Sequence, residues 1–298
     1  MKIQLISSNK INREKWDKCV ESSLNPFIYA TSIYLDKMAD NWDGIVGNNY
    51  EIVMPIPWRR KFGIKYCYSV PFIQQLGVFG KVLKQQDIND CLNLLIQSFK
   101  YGTYTFHSIN HIKDSDAQNN YVLSLASNYN TIASFYSNKL KANLRKSAKY
   151  LLLYSNATMN EAIKSFYETN AHKLPKYLLR DYYNFSKLCK LKDEENNLVI
   201  RKITSDNKVL AINLFLKDKF RIYNLMSCVL PEGRKISAGH LLLDSFIKEF
   251  SQTGMLLDFE GSNVPGVAHF YKNFGAINQP YPKIHFNRLP YFLRLFKH

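Results

Sequence analysis

Between Leu198 and Val229 the chain reads as three consecutive β-strands, and this run limits the fold more than any other feature. The stretches 198–204, 209–217 and 220–229 are rich in apolar and β-branched residues at a period of two. Ser205-Asp206-Asn207 and Asp218-Lys219 separate them as turn formers. Connections this short leave no room for a crossover, so the strands pair antiparallel as a meander. Upstream, the pattern predicts a strand over 151–155, a helix opened by the capping box Thr158-x-x-Glu161, and a second helix over 177–191. Downstream it predicts a helix over 237–250, a strand over 255–259, a helix opened by Pro265 and ended at Gly275, and a last strand. The fold class is therefore α/β in the α+β sense, with a mixed, largely antiparallel sheet flanked by helices.

The first half is of the same mixed kind. Asp87 is placed as the N-cap of a helix whose Ile88, Cys91, Leu92, Leu95 and Phe99 recur at helical spacing. Tyr104, Phe106 and Ser108 then fall on one face of a strand, and Tyr121, Leu123 and Leu125 repeat that period. Ile132, Tyr136, Leu140, Leu144 and Ala148 form a stripe at steps of four, with Lys139, Lys141, Arg145, Lys146 and Lys149 around it, which predicts one basic amphipathic helix. With 298 residues the chain has length for two cores, and the expected domains are 1–135 and 136–298.

Charge is divided unevenly between those halves. Residues 1–135 carry 14 Lys+Arg and 11 Asp+Glu, and residues 136–298 carry 26 and 13, which is +3 against +13. A basic half attracts phosphate-rich partners: coenzyme A, tRNA or an anionic membrane surface. An AT-rich coding sequence yields the same abundance of Lys, Asn, Ile and Tyr without any such partner. The N-terminus has no apolar signal-peptide core, and no segment reaches the roughly 18 uncharged residues of a membrane span, so a cytoplasmic protein is expected. Cys19, Cys67, Cys91, Cys189 and Cys228 are dispersed and unpaired in pattern, and read as reduced core residues. His107 and His111 have no third ligand near them in sequence, so no metal is expected. Nucleotide-loop and zinc-protease motifs are absent.

The most specific local feature is Arg234-Lys235-Ile236-Ser237-Ala238-Gly239, set where a strand gives way to a helix. Small residues there leave the first helical N–H groups open to a pyrophosphate, and Arg234 adds charge. The segment resembles the R/Q-x-x-G-x-G/A pyrophosphate loop of GNAT acetyltransferases, with Arg234 first, Gly239 last and Ser237 in place of a glycine. By that resemblance Arg234, Ser237, Ala238 and Gly239 are the donor-binding residues, and the donor is an acyl-CoA such as acetyl-CoA.

Asp258-Phe259-Glu260-Gly261-Ser262, followed by Phe270-Tyr271-Lys272-Asn273-Phe274-Gly275, resembles the strand end and following helix of Fem-type peptidyltransferases and their FemAB-like relatives. Two further segments extend the likeness. Pro71-Phe72-Ile73-Gln74-Gln75-Leu76-Gly77 is similar to the P-x-x-x-Q-L-G segment of their N-terminal domain, and Asn143-Leu144-Arg145-Lys146-Ser147-Ala148 to their inter-domain R-K-x-A helix. The resemblance implies two tandem GNAT-like domains and transfer of an acyl or aminoacyl group to an amine. Fem enzymes draw the amino acid from aminoacyl-tRNA and add it to a peptidoglycan precursor, so tRNA and such a precursor are implied partners. It also gives Lys272 a role in stabilising charge on the donor or the tetrahedral intermediate.

Acyl transfer needs a polarised carbonyl, a deprotonated amine and an acid for the leaving group. Strand alternation puts Asp258 and Glu260 on one face, so Glu260 is the first candidate base and Asp258 the second. Tyr223 and Ser227, four apart on one predicted strand, are the candidate acids, and backbone N–H groups near Met226–Cys228 are the expected polarising donors. The terminal run 286–298 mixes aromatic and basic residues and allows weak peripheral membrane contact, with packing on the second domain as its ordinary fate. The competing reading is a non-catalytic GNAT-fold protein that binds nucleic acid or an anionic glycan through its basic half.

Overall fold

The strands predicted at 198–204, 209–217 and 220–229 form the centre of a seven-stranded sheet, and the elements around them follow in nearly the expected order. The computed structural model describes residues 3–170, 177–261, 263 and 265–291. Contacts divide these between two compact units, 1–118 with 280–298, and 119–279.

The first unit runs β1 (Ile3–Ser7), α1 (Arg13–Glu21), α2 (Ser32–Met38), β2 (Trp42–Gly47), β3 (Ile52–Lys61), β4 (Ile64–Cys67), β5 (Phe79–Gly80), α3 (Gln85–Ser98), β6 (Tyr101–Thr105) and β7 (Asp116–Gln118). The second unit has β8 (Tyr121–Ser124), α4 (Tyr129–Ser134), α5 (Asn138–Ser147), β9 (Leu153–Asn156), α6 (Met159–Asn170), α7 (Leu179–Glu194), β10 (Leu198–Ser205), β11 (Lys208–Lys217) and β12 (Arg221–Val229). It continues through α8 (Pro231–Lys235), α9 (Ala238–Phe250), β13 (Leu256–Asp258), α10 (Pro265–Lys272) and β14 (Ile277–Asn278). The last strand, β15 (Tyr281–Asn287), returns to the first unit.

The first sheet has the order β1-β2-β3-β4-β6-β15-β7, with β5 added on β3. β15 lies between β6 and β7, pairing His285 with Thr103 and Pro282 with Ala117. Through this strand residues 281–287 belong to the first sheet, and the expected boundary at 135/136 lies inside the second unit. There β8 pairs with β13, and Ile132 and Tyr136 join the second core. The Pro71–Gly77 segment is tied down in the first unit. Leu76 N–H donates to Thr105, Gly77 N–H donates to the Tyr104 hydroxyl, and Asn110 Oδ1 accepts from Val78 N–H at 2.8 Å.

The second sheet has the order β14-β8-β13-β12-β11-β10-β9, and among the described residues only its β12–β13 pair is parallel. One face packs α9 and α10 through Phe215, Phe246, Ile247, Phe259 and Phe274, with Phe215 and Phe246 stacked at 3.8 Å. α6 packs on the other face, where the Cys228 thiol donates to the Ser165 carbonyl at 3.3 Å. All five cysteines are buried and outside any disulfide.

Several local expectations change. Asp87 stands at the third position of α3 and accepts from the Lys84 N–H, so it caps from inside the helix. The single helix expected over 132–148 is two, α4 and α5, because the Ser137 hydroxyl accepts from Leu140 N–H and restarts the helix after a break at 135–137. The capping box holds: Glu161 Oε2 accepts from Thr158 N–H at 2.8 Å, and Glu161 N–H donates to the Thr158 hydroxyl.

Candidate active site

The parallel pair β12–β13 is short. Arg221 pairs with Leu256, Ile222 with Leu257 and Tyr223 with Asp258, and there β13 stops. β12 continues for six residues along β11 alone, so beyond Tyr223 its other edge has no strand partner among the described residues. The Leu230 N–H donates to the Leu210 carbonyl at 2.9 Å, which fixes the phase of the ladder. Alternation then turns the backbone groups of Met226 and Cys228 toward β11, and those of Ser227 and Val229 toward the open edge. Arg234 Nε donates to the Val229 carbonyl at 3.0 Å. The Ser227 and Val229 amides are therefore the N–H groups that β12 turns to its open edge beyond the bulge-bearing start of the fork, and Ser227 lies in the middle of the stretch expected to polarise a carbonyl.

A buried ionic cluster holds the fork's closed end. Asp258 Oδ2 accepts from Arg221 Nη1 at 2.5 Å and from Asn120 Nδ2 at 3.1 Å, and its Oδ1 accepts from the Glu260 N–H at 3.2 Å. Asp258 is fully buried, and its carboxylate is spent on joining β8, β12 and β13. It is not placed to take a proton from a substrate. Glu260 does not share its strand face: β13 ends at Asp258, and Glu260 adopts a left-handed backbone with φ of 55°.

The two candidate acids are separated by a bulge. Asn224 pairs with Phe215 and Met226 with Leu214, so Leu225 is an extra residue and the side chains after it change face. Tyr223 is buried with its hydroxyl donating to Asp218 Oδ2 at 2.7 Å, and burial raises the Asp218 carboxyl above its usual range. Ser227 lies on the α9 face instead. Its hydroxyl donates to Asn213 Oδ1 at 3.2 Å, and Asn213 Nδ2 donates to Asn224 Oδ1 at 3.0 Å.

Tyr271 completes this second cluster. Its ring stacks on Phe259 at 4.5 Å, and its hydroxyl lies beside Asn224, the first β12 residue past the fork. Burial first, and then the charge of Glu260, hold the phenol well above its ordinary pKa, so it keeps its proton at neutral pH. The structure thus brings together the Ser227 amide and hydroxyl, Asn213, Asn224, Tyr271 and Glu260. No motif in the sequence assigns a role to Asn213, Asn224 or Tyr271. A signal was present: single asparagines interrupt the apolar runs of β11 and β12, and a buried amide needs a polar partner.

The expected pyrophosphate segment has a different form. Residues 231–235 wind into α8, and the chain breaks at Ile236 and Ser237 before α9 begins. Ser237 takes a left-handed backbone, φ 63°, where a glycine fits most readily, and its hydroxyl donates to Asn143 Oδ1 at 3.3 Å. Ser237, Ala238 and Gly239 are all buried. A β-carbon on Gly239 would lie 2.6 Å from Val229 Cγ2, so this glycine lets α9 pack on β12. Arg234 is exposed but committed to Val229. These four residues adjoin, but they do not form an open cradle.

Other candidates lie apart. Lys272 is exposed, with Nζ 5.7 Å from the Tyr121 ring centre. His240, in the first turn of α9, meets Phe270 edge-on at 4.8 Å and Asn143 Nδ2 at 3.1 Å. Burial, aided by the Lys139 charge, lowers its pKa to about 4, so it is neutral. His107 is buried in the first unit with Nε2 2.8 Å from the Val78 carbonyl. Ser262 and the tail from 292 onward lie outside the described residues. Among the described residues no three His, Cys, Asp or Glu side chains gather as a metal site, and no helix is long and apolar enough to cross a membrane.

The two mixed sheets, each flanked by helices, make a tandem GNAT-like fold of the FemAB type. The chain is similar over its whole length to the crystal structure of FemX, with a TM-score of 0.68, 12% identity and complete coverage of both chains. A tandem GNAT protein from the clavulanic acid biosynthesis pathway superposes with a TM-score of 0.53 at 12% identity, covering 97% of this chain and 99% of that one. L-PGS from Bacillus licheniformis does so at 0.52 and 10% identity, covering 96% and 95%. At these identities the likeness establishes the fold. No protein-family model matches the sequence, and no curated protein matches it.

Proposed function

We propose that the chain transfers an acyl group from an activated ester to an amine, with the donor carbonyl lodged where β12 parts from β13. The unpaired edge of β12 carries this reading. A carbonyl set against the Ser227 N–H is polarised there, and that N–H stabilises the oxyanion as the amine forms its bond to carbon. Glu260 takes the amine proton. Tyr271, kept protonated by its surroundings, gives its proton to the departing oxygen or sulfur as that bond breaks. Asn213 and Asn224 hold the geometry between them.

The closed start of α9 bears on the donor. With Ser237, Ala238 and Gly239 buried and Arg234 turned to Val229, a CoA pyrophosphate finds no ready seat, which favours an aminoacyl ester on tRNA over acyl-CoA. The resemblance to FemX supports the same choice, and an amine on a peptidoglycan precursor as acceptor. The test is transfer of labelled amino acids from total aminoacylated tRNA, run beside acetyl-CoA, to a panel of amine acceptors including peptidoglycan precursors. Transfer from tRNA is expected, with Tyr271→Phe reducing it about 100-fold or more at unchanged fold. Absence of transfer from either donor, or full activity in Tyr271→Phe, overturns the proposal. The commitment of Asp258 to Arg221 favours a second reading, a binding protein without turnover, which predicts retained tRNA or anionic-glycan affinity with no product.

A further inference from the structure

Independently of that reaction, we propose that the corner joining α5 to β9 docks this protein on an anionic phospholipid surface. Leu151 is 91% exposed, Leu153 64% and Tyr150 47%, three large apolar side chains within four residues. Their outward direction is imposed by the fold. β9 pairs Leu153 with Thr204 and Tyr154 with Ile203, while Leu152 and Tyr154 pack inward on the cluster of Ile203, Ala211 and Leu242. Alternation leaves Leu151 and Leu153 pointing away from that cluster. β9 is also the end strand of its sheet.

The charge around this corner that ion pairs do not neutralise is mainly positive. Lys141, Arg145, Lys146 and Lys149 are all exposed, and none forms an ion pair with a described carboxylate. No acidic residue occurs from position 117 to 160. The carboxylates near β9 are Glu249, which accepts from the Tyr154 hydroxyl and is paired with Arg201, Glu161, paired with Lys202, and Asp206, on the turn two residues past Thr204. The apolar stripe of α5 does not face outward: Leu140 is fully buried and Leu144 packs on the same core, so the helix offers only its basic side. Aliphatic tips beside a cationic collar match the interface of a bilayer, where the leucines enter the acyl boundary and the lysines meet phosphate. An RNA backbone would satisfy the cations and leave Leu151 and Leu153 in water.

Flotation with phosphatidylcholine vesicles containing 30% phosphatidylglycerol, against phosphatidylcholine alone, reads this out at low and moderate salt. Wild type is expected to float with the anionic vesicles only, less strongly as salt rises. The L151S/L153S variant should bind at least about tenfold more weakly, each leucine contributing through its buried area. The K146E/K149E variant should lose at least about 25-fold, at roughly fivefold for each basic side chain removed. A charge-matched control on the first unit, K18E/K81E, should lose less than about threefold. All six positions are exposed, and unchanged unfolding midpoints verify the folds. The proposal is overturned if wild type ignores anionic vesicles, if L151S/L153S binds like wild type, or if the control loses as much as K146E/K149E. A tRNA gel shift sensitive to K146E/K149E, with no vesicle binding, would give this surface to nucleic acid instead.

Discussion

Phe62 and Gly63 form the two-residue turn between β3 and β4, with φ of 50° and 76°, and the Phe62 side chain is 91% exposed. A left-handed backbone strains a bulky residue, and Asn-Gly is the favoured pair for such a turn. Phe62→Asn should raise stability by about 0.5–1 kcal/mol in urea unfolding, a gain near the span of such turn preferences. Gly77 gives the opposite result. Its φ is 119°, and a β-carbon would stand 2.2 Å from Asn110 Oδ1, so Gly77→Ala should cost about 2–4 kcal/mol in the same assay. Asp258→Ala strands the buried Arg221 charge and should cost about 3–5 kcal/mol. These residues show what the sequence could disclose. Asp258 was marked out as an acid at a strand end, but its role depends on Arg221, 37 positions away, and on Asn120, 138 away, distances at which no local pattern speaks. Glu260 was readable as an acid near the site, and its left-handed backbone was not.

The three central strands were legible because their alternation and turn residues are local signals, and the observed bounds differ from those expected by one residue. The bulge at Leu225 carries no such signal. It exists because β11 and β12 differ by one residue between fixed pairs, and it sends Tyr223 and Ser227 to opposite faces of the sheet. α8 was hidden for a related reason: Pro and Gly, as at 231 and 233, are both common in turns, whereas Pro is also well suited to a helix's first position. At the start of α9, His240 supplies a pH test. Its folded pKa, near 4, lies below its ordinary 6.5, so the unfolded chain takes up the proton first. Stability is therefore whole above about pH 6.5 and declines as pH falls toward 4. Wild type should lose more stability between pH 7 and pH 5 than His240→Gln, measured as the change in urea midpoint for each; equal losses would mean that His240 titrates as if in water.

For the whole molecule, the tandem arrangement was readable from length and from motifs in both halves, but the path of the chain's end was not. β15 is one more alternating strand by its composition, and its place between β6 and β7 is set by pairing with residues more than 160 positions earlier. The uneven charge belongs to the expected halves: over the two units of the structure, 1–118 with 280–298 and 119–279, it is +7 against +9. What the structure adds is local: Lys141, Arg145, Lys146 and Lys149 form no ion pair with a described carboxylate and lie near exposed leucines. The transferase reading finally rests on one stretch of main chain. Amide-resolved hydrogen exchange, with and without a tRNA carrying its amino acid through a stable amide, tests it most directly. Exchange at Ser227 should slow at least about tenfold when the donor binds, while Met226 and Cys228, already bonded to β11, stay as they were. Donor binding that leaves Ser227 unprotected and slows exchange elsewhere would contradict it.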